Sequence, residues 1–268
     1  MAISSRVMTE IKSNDLPLYA KNPVTRFSHR AKEYARYRPG YPSEAIAHII
    51  EGFGDINTIL AVDIGAGTGI SSRLLADRGV RVLAVEPNKV MREMATPHPR
   101  VEWREGTAEA THLPDQSIDL VTSFQAFHWF NPEPTLREFG RILKPNGRVA
   151  IIWNHRHRQD QFTQEYGLIF KQASRYNSAI PKKRPRPIIS LLESSEFKNQ
   201  RHQMFTHCQA LDLTGLIGRT HSASYIPTQG TEAEIILTKL RELYHKWKNE
   251  RGLVYIQYRT DVYLAELK

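Results

Sequence analysis

The run Val62-Asp63-Ile64-Gly65-Ala66-Gly67-Thr68-Gly69-Ile70-Ser71 constrains this chain more than any other segment. An apolar stretch enters three glycines at alternate positions, and a second apolar run, Val80 to Val85, closes on Glu86-Pro87-Asn88. Glycine tolerates the positive φ of a tight strand-to-helix turn and lets a ligand approach bare backbone. The spacing Gly-x-Gly-x-Gly is one residue shorter than the dinucleotide fingerprint Gly-x-Gly-x-x-Gly. The shorter form suits a nucleoside ligand without a pyrophosphate, S-adenosylmethionine rather than NAD. At the end of the second strand of a doubly wound sheet, an acid such as Glu86 accepts hydrogen bonds from both ribose hydroxyls. Asp63, at the end of the first strand, either holds the turn or meets the methionine amino group.

The neighbouring segments repeat a strand-helix rhythm. Strands are expected at Thr58 to Asp63, Val80 to Glu86, Val101 to Arg104, Ile118 to Phe124 and Arg148 to Trp153. Helices are expected at Ile70 to Arg78, near Lys89 to Ala95, and from Asn131-Pro132 to Leu143, with Asn131 as cap and Pro132 at the first helical position. Lys144-Pro145-Asn146-Gly147 reads as a turn. Before the first strand, Ser43 reads as the N-cap of a helix striped with Ile46, Ile49, Ile50 and Phe53. Alternation of this kind means right-handed βαβ units and a mostly parallel sheet. After residue 155 the pattern changes to polar, partly helical sequence. Thr214 to Ser222 and a strong helix from Thr231 to Trp247 separate two strand candidates, Met204 to Leu211 and Leu253 to Tyr263, read as a hairpin-like pair completing the sheet. The expected fold is α/β and Rossmann-like, with a helical cap. Its parts are an N-terminal arm and cap helices (1–55), a cofactor-binding core (56–154), and lid segments with C-terminal strands belonging to the same domain (155–268). Within the first part, residues 1–24 read as a mobile arm.

Charge narrows the partners. The net charge is +9, yet residues 56–153 hold eleven basic and eleven acidic side chains. Residues 154–210 hold ten and four, so the excess sits in the segment expected to cover the core. That surface is either a binding face for a small acid or merely a solvated one, the Pro181-Lys182-Lys183-Arg184-Pro185-Arg186-Pro187 run included. Nucleic acid is not the expected partner, because no recognition motif is present and aromatics do not interleave with the basic run. Cys208 stands alone, which excludes an internal disulfide and suits a reducing, cytoplasmic setting. No apolar stretch approaches the ~18 residues of a membrane span, and the N-terminus has no apolar core of a secretion signal. The pattern does not set an oligomeric state.

Taken together, the glycine segment, Glu86-Pro87, Leu113-Pro114-Asp115-Gln116-Ser117-Ile118-Asp119 and Leu143-Lys144-Pro145-Asn146-Gly147 resemble the class I S-adenosylmethionine-dependent methyltransferases. Tyr34-Ala35-Arg36-Tyr37-Arg38-Pro39-Gly40-Tyr41-Pro42 and Gln125-Ala126-Phe127-His128-Trp129-Phe130 are similar to the small-molecule branch around trans-aconitate methyltransferase. The resemblance implies a seven-stranded sheet whose last strand is antiparallel. It implies that Gly65, Ala66, Gly67 and Gly69 approach the cofactor's amino-acid and ribose portions, that Glu86, Pro87 and Asn88 flank the ribose, and that the segment after the third strand meets the adenine edge. Many relatives carry an aspartate where this chain has Thr107 or Ala108, so the Ala108 backbone and the Glu109 carboxylate stand in for it. Gln125, Ala126 and His128 are expected on the methionine side. His128 is either a base or orienting donor, or, with Trp129, a packing element of the pocket floor. Tyr34 and Arg38 either contact the cofactor's sulfonium side or carboxylate, or belong to a helix whose tyrosines pack on the cap.

The acceptor side is expected to include Tyr37, Trp129, His155 and Arg156. The sequence His155-Arg156-His157-Arg158 has no acids or cysteines beside it, so it reads as a cationic rim, with no metal expected. The function expected from these residues is in-line methyl transfer to a small molecule, acids being one candidate class. A carboxylate acceptor needs no base, whereas a phenol, amine or carbon would need His128 or another. The competing readings are a non-catalytic S-adenosylmethionine-binding or RNA-binding protein, and an NAD-dependent oxidoreductase.

Overall fold

The computed structural model describes residue 19, residues 30–175 and residues 188–268. The expected N-terminal arm, Tyr19 apart, and the Pro181–Pro187 run lie outside the described residues. Seven strands form one sheet: β1 (Leu60–Ile64), β2 (Arg81–Val85), β3 (Val101–Arg104), β4 (Ile118–Phe124), β5 (Leu143–Arg156), β6 (Phe197–Leu211) and β7 (Val254–Leu267). Their order is β3-β2-β1-β4-β5-β7-β6. β1 pairs in parallel with β2 and β4, β2 with β3, and β4 with β5, whereas β7 runs antiparallel between β5 and β6. The winding therefore reverses between β1 and β4, and the carboxyl ends of β1 to β4 share one edge, the place where open α/β sheets bind ligands.

Helices α1 (Ala31–Tyr37), α2 (Ser43–Ile50), α3 (Ile70–Ala76), α4 (Lys89–Glu93), α5 (Pro132–Ile142), α6 (Gln161–Arg175), α7 (Ile188–Glu193), α8 (Leu213–His221) and α9 (Thr231–Trp247) cover the sheet. The strands read as unbroken apolar runs because both faces are buried. Val62, Val121, Val149 and Ile151 face one way, onto Phe139 and Ile142 of α5. Their neighbours Ala61, Leu120, Ala150 and Ile152 face the other way, onto Ile46 and Ile49 of α2 and Leu75 of α3. A third cluster, with Tyr166 and Phe170 of α6, Leu216 of α8, Leu240 of α9 and Ile256 and Tyr258 of β7, fills the cap beyond the end of β5.

Four local expectations change. Ser43 is the first residue of α2 rather than its cap, because the Pro42 carbonyl already accepts the Ala45 and Ile46 amides at 3.0 and 3.3 Å. Asn131 holds the cap position of α5 but its side chain makes no capping bond; the Glu109 carboxylate instead accepts the Asn131 amide at 2.8 Å. β6 begins at Phe197, not Met204. After the buried Phe197 its early residues are polar and mostly exposed, so apolar alternation could not mark them; pairing with β7 makes them strand, and Gln200 also donates to the Leu192 carbonyl at 2.9 Å. Lys144 to Gly147, expected as a turn before a strand at Arg148, instead fall within β5, which begins at Leu143; they coincide with the register shift opposite Ile118 and Leu120, with Asn146 at φ 59°.

Candidate active site

Four strand ends build a cavity of about 410 Å³. After β1, Gly65, Gly67 and Gly69 adopt φ of 71°, 59° and 74°, the left-handed region that disfavours other residues. The turn is tied to β2, since the Gly65 and Ala66 amides donate to the Val85 carbonyl at 2.9 and 3.2 Å. A Cβ on Gly65 would stand 2.6 Å from the Ala126 Cβ, and one on Gly67 would stand 3.4 Å from the Met91 Cε. The close approach excludes a side chain at Gly65, and the positive φ disfavours one at Gly67. Gly69 does other work: it starts α3 in the left-handed conformation and packs beneath the Trp103 ring.

Glu86 ends β2 with 8% of its surface exposed. Its Oε2 accepts the Gly67 amide and its Oε1 the Asn88 amide, each at 2.9 Å. Burial pushes its pKa up, and these two amides together with Arg92 oppose the shift. The carboxylate therefore braces the glycine turn while lining the cavity, with lone pairs to spare for a diol. Asn88 caps α4 by accepting the Met91 amide at 3.3 Å, which places Met91 across from Gly67. After β3, the Thr107 and Ala110 backbones bond reciprocally in a tight turn. That turn presents Gly106, Thr107, Ala108 and Glu109 to the cavity. After β4, Gln125 at φ 57° anchors its side-chain amide on the Asn154 carbonyl at 2.8 Å, and Ala126, Trp129, Phe130 and Asn131 complete the wall with Phe124.

Of the residues expected from sequence, the structure brings Tyr34, Gly65, Gly67, Glu86, Pro87, Asn88, Thr107, Ala108, Glu109, Gln125, Ala126 and Trp129 to this one cavity. It leaves others off the wall. Asp63 is fully buried beneath the turn, accepting the Ser71 and Ser72 hydroxyls at 2.6 and 2.7 Å and the Thr122 hydroxyl at 3.0 Å. These bonds tie the end of β1 to the start of α3 and to β4. Ala66 is buried behind the glycines. His128 sits in a single 3₁₀ turn, Phe127–Trp129, its ring 5.0 Å from that of Trp129 and off the wall that Trp129 lines. Arg38 stacks on the outer side of Tyr34 at 4.6 Å, and Tyr37 presses on Gly218 of α8.

The expected rim of His155 and Arg156 is split. Successive strand residues point to opposite faces, so His155 turns to the buried Asp261 carboxylate at 3.4 Å while Arg156 lies over the Phe170 ring at 4.2 Å. Gly106, the first residue of the segment expected after the third strand, also lines the cavity; lining residues not anticipated are Tyr19, Met91, Phe124, Phe130 and Asn131. Met91, one helical turn beyond the Asn88 cap, was within reach of a sequence argument; Tyr19 was not.

Residues 62–151 match the family model described as a methyltransferase domain. A methyltransferase-like protein of Schizosaccharomyces pombe, itself uncharacterized, is 30% identical over 202 residues, which is 75% of this chain and 78% of that protein. This chain belongs to the class I S-adenosylmethionine-dependent methyltransferases. A second uncharacterized methyltransferase of that yeast is 37% identical over 126 residues, 46% of this chain, and the match spans only 50% of the relative's own length. Among solved structures, a provisionally named type II methyltransferase from Anaeromyxobacter dehalogenans superimposes with a TM-score of 0.67. It is 22% identical over 85% of this chain and 97% of its own, a likeness of fold. Membership of this family makes S-adenosylmethionine the cofactor, in place of the nicotinamide alternative.

Proposed function

We propose that this methyltransferase carries a methyl group from S-adenosylmethionine to a small molecule, in the manner of the branch around trans-aconitate methyltransferase, with an acid as the favoured acceptor. The observation that carries the reading is the meeting of the Gly67 backbone and the Glu86 carboxylate on one cavity wall. The cradle fits a nucleoside, because a side chain at Gly67 would fill the slot that Met91 and Tyr34 close from the far side. Glu86 would take the ribose hydroxyls, and Gly65 to Gly67 the amino-acid portion. The Ala108 backbone would take the adenine edge, with the Glu109 oxygen that does not hold Asn131. Held there, S-adenosylmethionine would supply an electrophilic sulfonium methyl to an acceptor lone pair, with the thioether as leaving group.

The chain's own contribution is alignment and exclusion of water. Tyr34, Gln125 and Trp129 wall the side from which an acceptor would approach, and holding two reactants in line supplies about 7–11 kcal/mol of barrier lowering. A carboxylate acceptor is ionised at neutral pH and gives up no proton, which is compatible with a cavity wall that His128 does not join. The reading includes the division into an N-terminal cover (1–55), a core (56–154) and a C-terminal completion (155–268), and a cytoplasmic location. No described helix is long and apolar enough to cross a membrane.

Isothermal titration with S-adenosylmethionine and S-adenosylhomocysteine tests the cofactor, and transfer of a labelled methyl to a panel of small acids tests the acceptor. Heat from both cofactors and label in at least one acid is the expected result. No heat from either would remove the reading. Binding without turnover across acids, phenols and amines would make the protein a non-catalytic S-adenosylmethionine binder.

A further inference from the structure

One buried and two half-buried arginines meet in the cap in a way that the cofactor cavity does not account for. Arg219 of α8 is 7% exposed; its Nε donates to the Tyr258 hydroxyl at 3.1 Å and its Nη1 to the Ser222 hydroxyl at 3.3 Å. Arg38, just after α1, donates from Nη2 to the Ser222 carbonyl at 3.0 Å, so two guanidinium groups converge on one serine. Arg156 faces Tyr258 across the β5–β7 register and lies over the Phe170 and Tyr166 rings at 4.2 and 5.6 Å. Tyr258 thus links Arg219 and Arg156. The arrangement is held from behind, because a Cβ on Gly218 would run into the Tyr37 ring, and α8 therefore sits directly on α1.

None of these three guanidinium groups forms an ion pair with a described carboxylate. The buried Nε of Arg38 and Nη1 of Arg156 have no hydrogen-bond partner among the described residues. Arg219 is buried and Arg38 and Arg156 are half-buried. The Tyr258, Tyr166 and Tyr225 side chains favour the charged form of Arg219, but a cation withdrawn from water without a carboxylate partner is unfavourable, and the Tyr34, Tyr166 and Phe170 rings offset only part of that. Burial holds Arg38 below its ordinary pKa, and the positive charge of Arg219 adds to the effect against Tyr34. Planar guanidinium forks match the oxygens of a carboxylate or phosphate two at a time. Tyr34 joins this cluster to the reaction: one face stacks on Arg38 and the ring also lines the cofactor cavity.

We infer that Arg38, Arg156 and Arg219 form an oxyanion site that holds a carboxylate or phosphate of the molecule to be methylated. Calling that molecule the methyl acceptor rests on the proposed methyltransferase function; the anion site itself rests on the arginines. The test titrates citrate, inorganic phosphate and uncharged triethyl citrate into the full chain, with and without saturating S-adenosylhomocysteine. Citrate or phosphate is expected to bind and triethyl citrate is not, the two anions telling a carboxylate acceptor from a phosphate ester. Arg156→Gln and Arg219→Gln are each expected to weaken that anion by about tenfold or more, equivalent to about 1.4 kcal/mol, with S-adenosylhomocysteine affinity unchanged. Absence of binding by both anions, equal binding of triethyl citrate, or full affinity in both variants would overturn the site. The comparison of citrate with its ester in the wild-type chain decides the matter even where a variant does not fold. Anion binding without S-adenosylhomocysteine binding would sink the methyltransferase reading and leave the anion site standing.

Discussion

The carboxyl edge of β1 to β4 and the cap beyond β5 solve the problem of polar recognition by opposite means. At the edge, the recognition surface is mostly backbone: two glycines, a four-residue turn after β3, and one carboxylate already satisfied by two amides. In the cap it is side chains reaching from elements far apart in sequence, such as Arg38 and Ser222, or Arg219 and Tyr258. Backbone recognition is stiff and leaves little room for variation. Side-chain recognition is adjustable, which suits a family whose members keep one cofactor while fold alone does not fix the acceptor.

The comparison breaks most sharply at Gly65. Gly65→Val must adopt φ near 71° and place its Cβ 2.6 Å from that of Ala126. Strained backbone of this kind costs about 1–3 kcal/mol, and overpacking about 1–3 kcal/mol more. Urea unfolding is expected to show that loss, and titration is expected to show no S-adenosylhomocysteine binding. A variant that binds normally would mean that the turn is not the rigid wall assigned to it. Glu86→Ala comes next. Losing a carboxylate that accepts ribose hydroxyls should weaken cofactor binding by about 1.5–3 kcal/mol, read by titration alongside circular dichroism. Unchanged affinity with an intact fold would remove the ribose role.

The same contrast explains what could be read from the chain. The glycine turn, Glu86 and the helix start at Asn131-Pro132 are local features, set by φ preferences, strand periodicity and the ring of proline, so they stand out in a single sequence. Strand pairing in the second half is not local. Residues 197–203 carry no alternation, yet they form strand because β7 offers its edge. Likewise His155 and Arg156, adjacent in sequence, diverge because a strand sends neighbours to opposite faces. Arg219 escapes notice altogether, since nothing near Gly218 announces that Tyr258 and Arg38 will converge on it. Asp63 shows the intermediate case: its position at the end of β1 is legible in the sequence, whereas its three hydroxyl partners, Ser71, Ser72 and Thr122, emerge only in the fold.

Tyr258→Phe sharpens the contrast from the cap side. It removes the acceptor of the Arg219 Nε–H at 3.1 Å while keeping the ring. Leaving a buried charged donor unsatisfied costs about 1–3 kcal/mol, so the urea midpoint should fall by that amount. Cofactor affinity should stay at the wild-type value, since Tyr258 does not line the cofactor cavity. Weakened S-adenosylhomocysteine binding in this variant would show that the two regions are coupled rather than separable.

The smallest effect is a pH dependence carried by Glu86. Burial raises its pKa, with the Asn88 and Gly67 amides opposing, so the folded protein holds this proton more tightly than the unfolded chain. Stability from this group is therefore full below the unfolded carboxylate range and is lost as pH rises through the interval up to the raised value. Cofactor binding has the opposite sign. In the proposed binding mode ribose hydroxyls donate to the ionised carboxylate, so affinity should fall as pH drops into that interval, where the free protein is protonated and must lose the proton to bind. Titrations of S-adenosylhomocysteine from pH 7.5 downward should show the decline in wild type and a weaker, flatter profile in Glu86→Gln, whose side chain does not titrate. A wild-type profile as flat as that of the variant would mean that the carboxylate spends itself on the Gly67 and Asn88 amides and takes no part in holding the nucleoside.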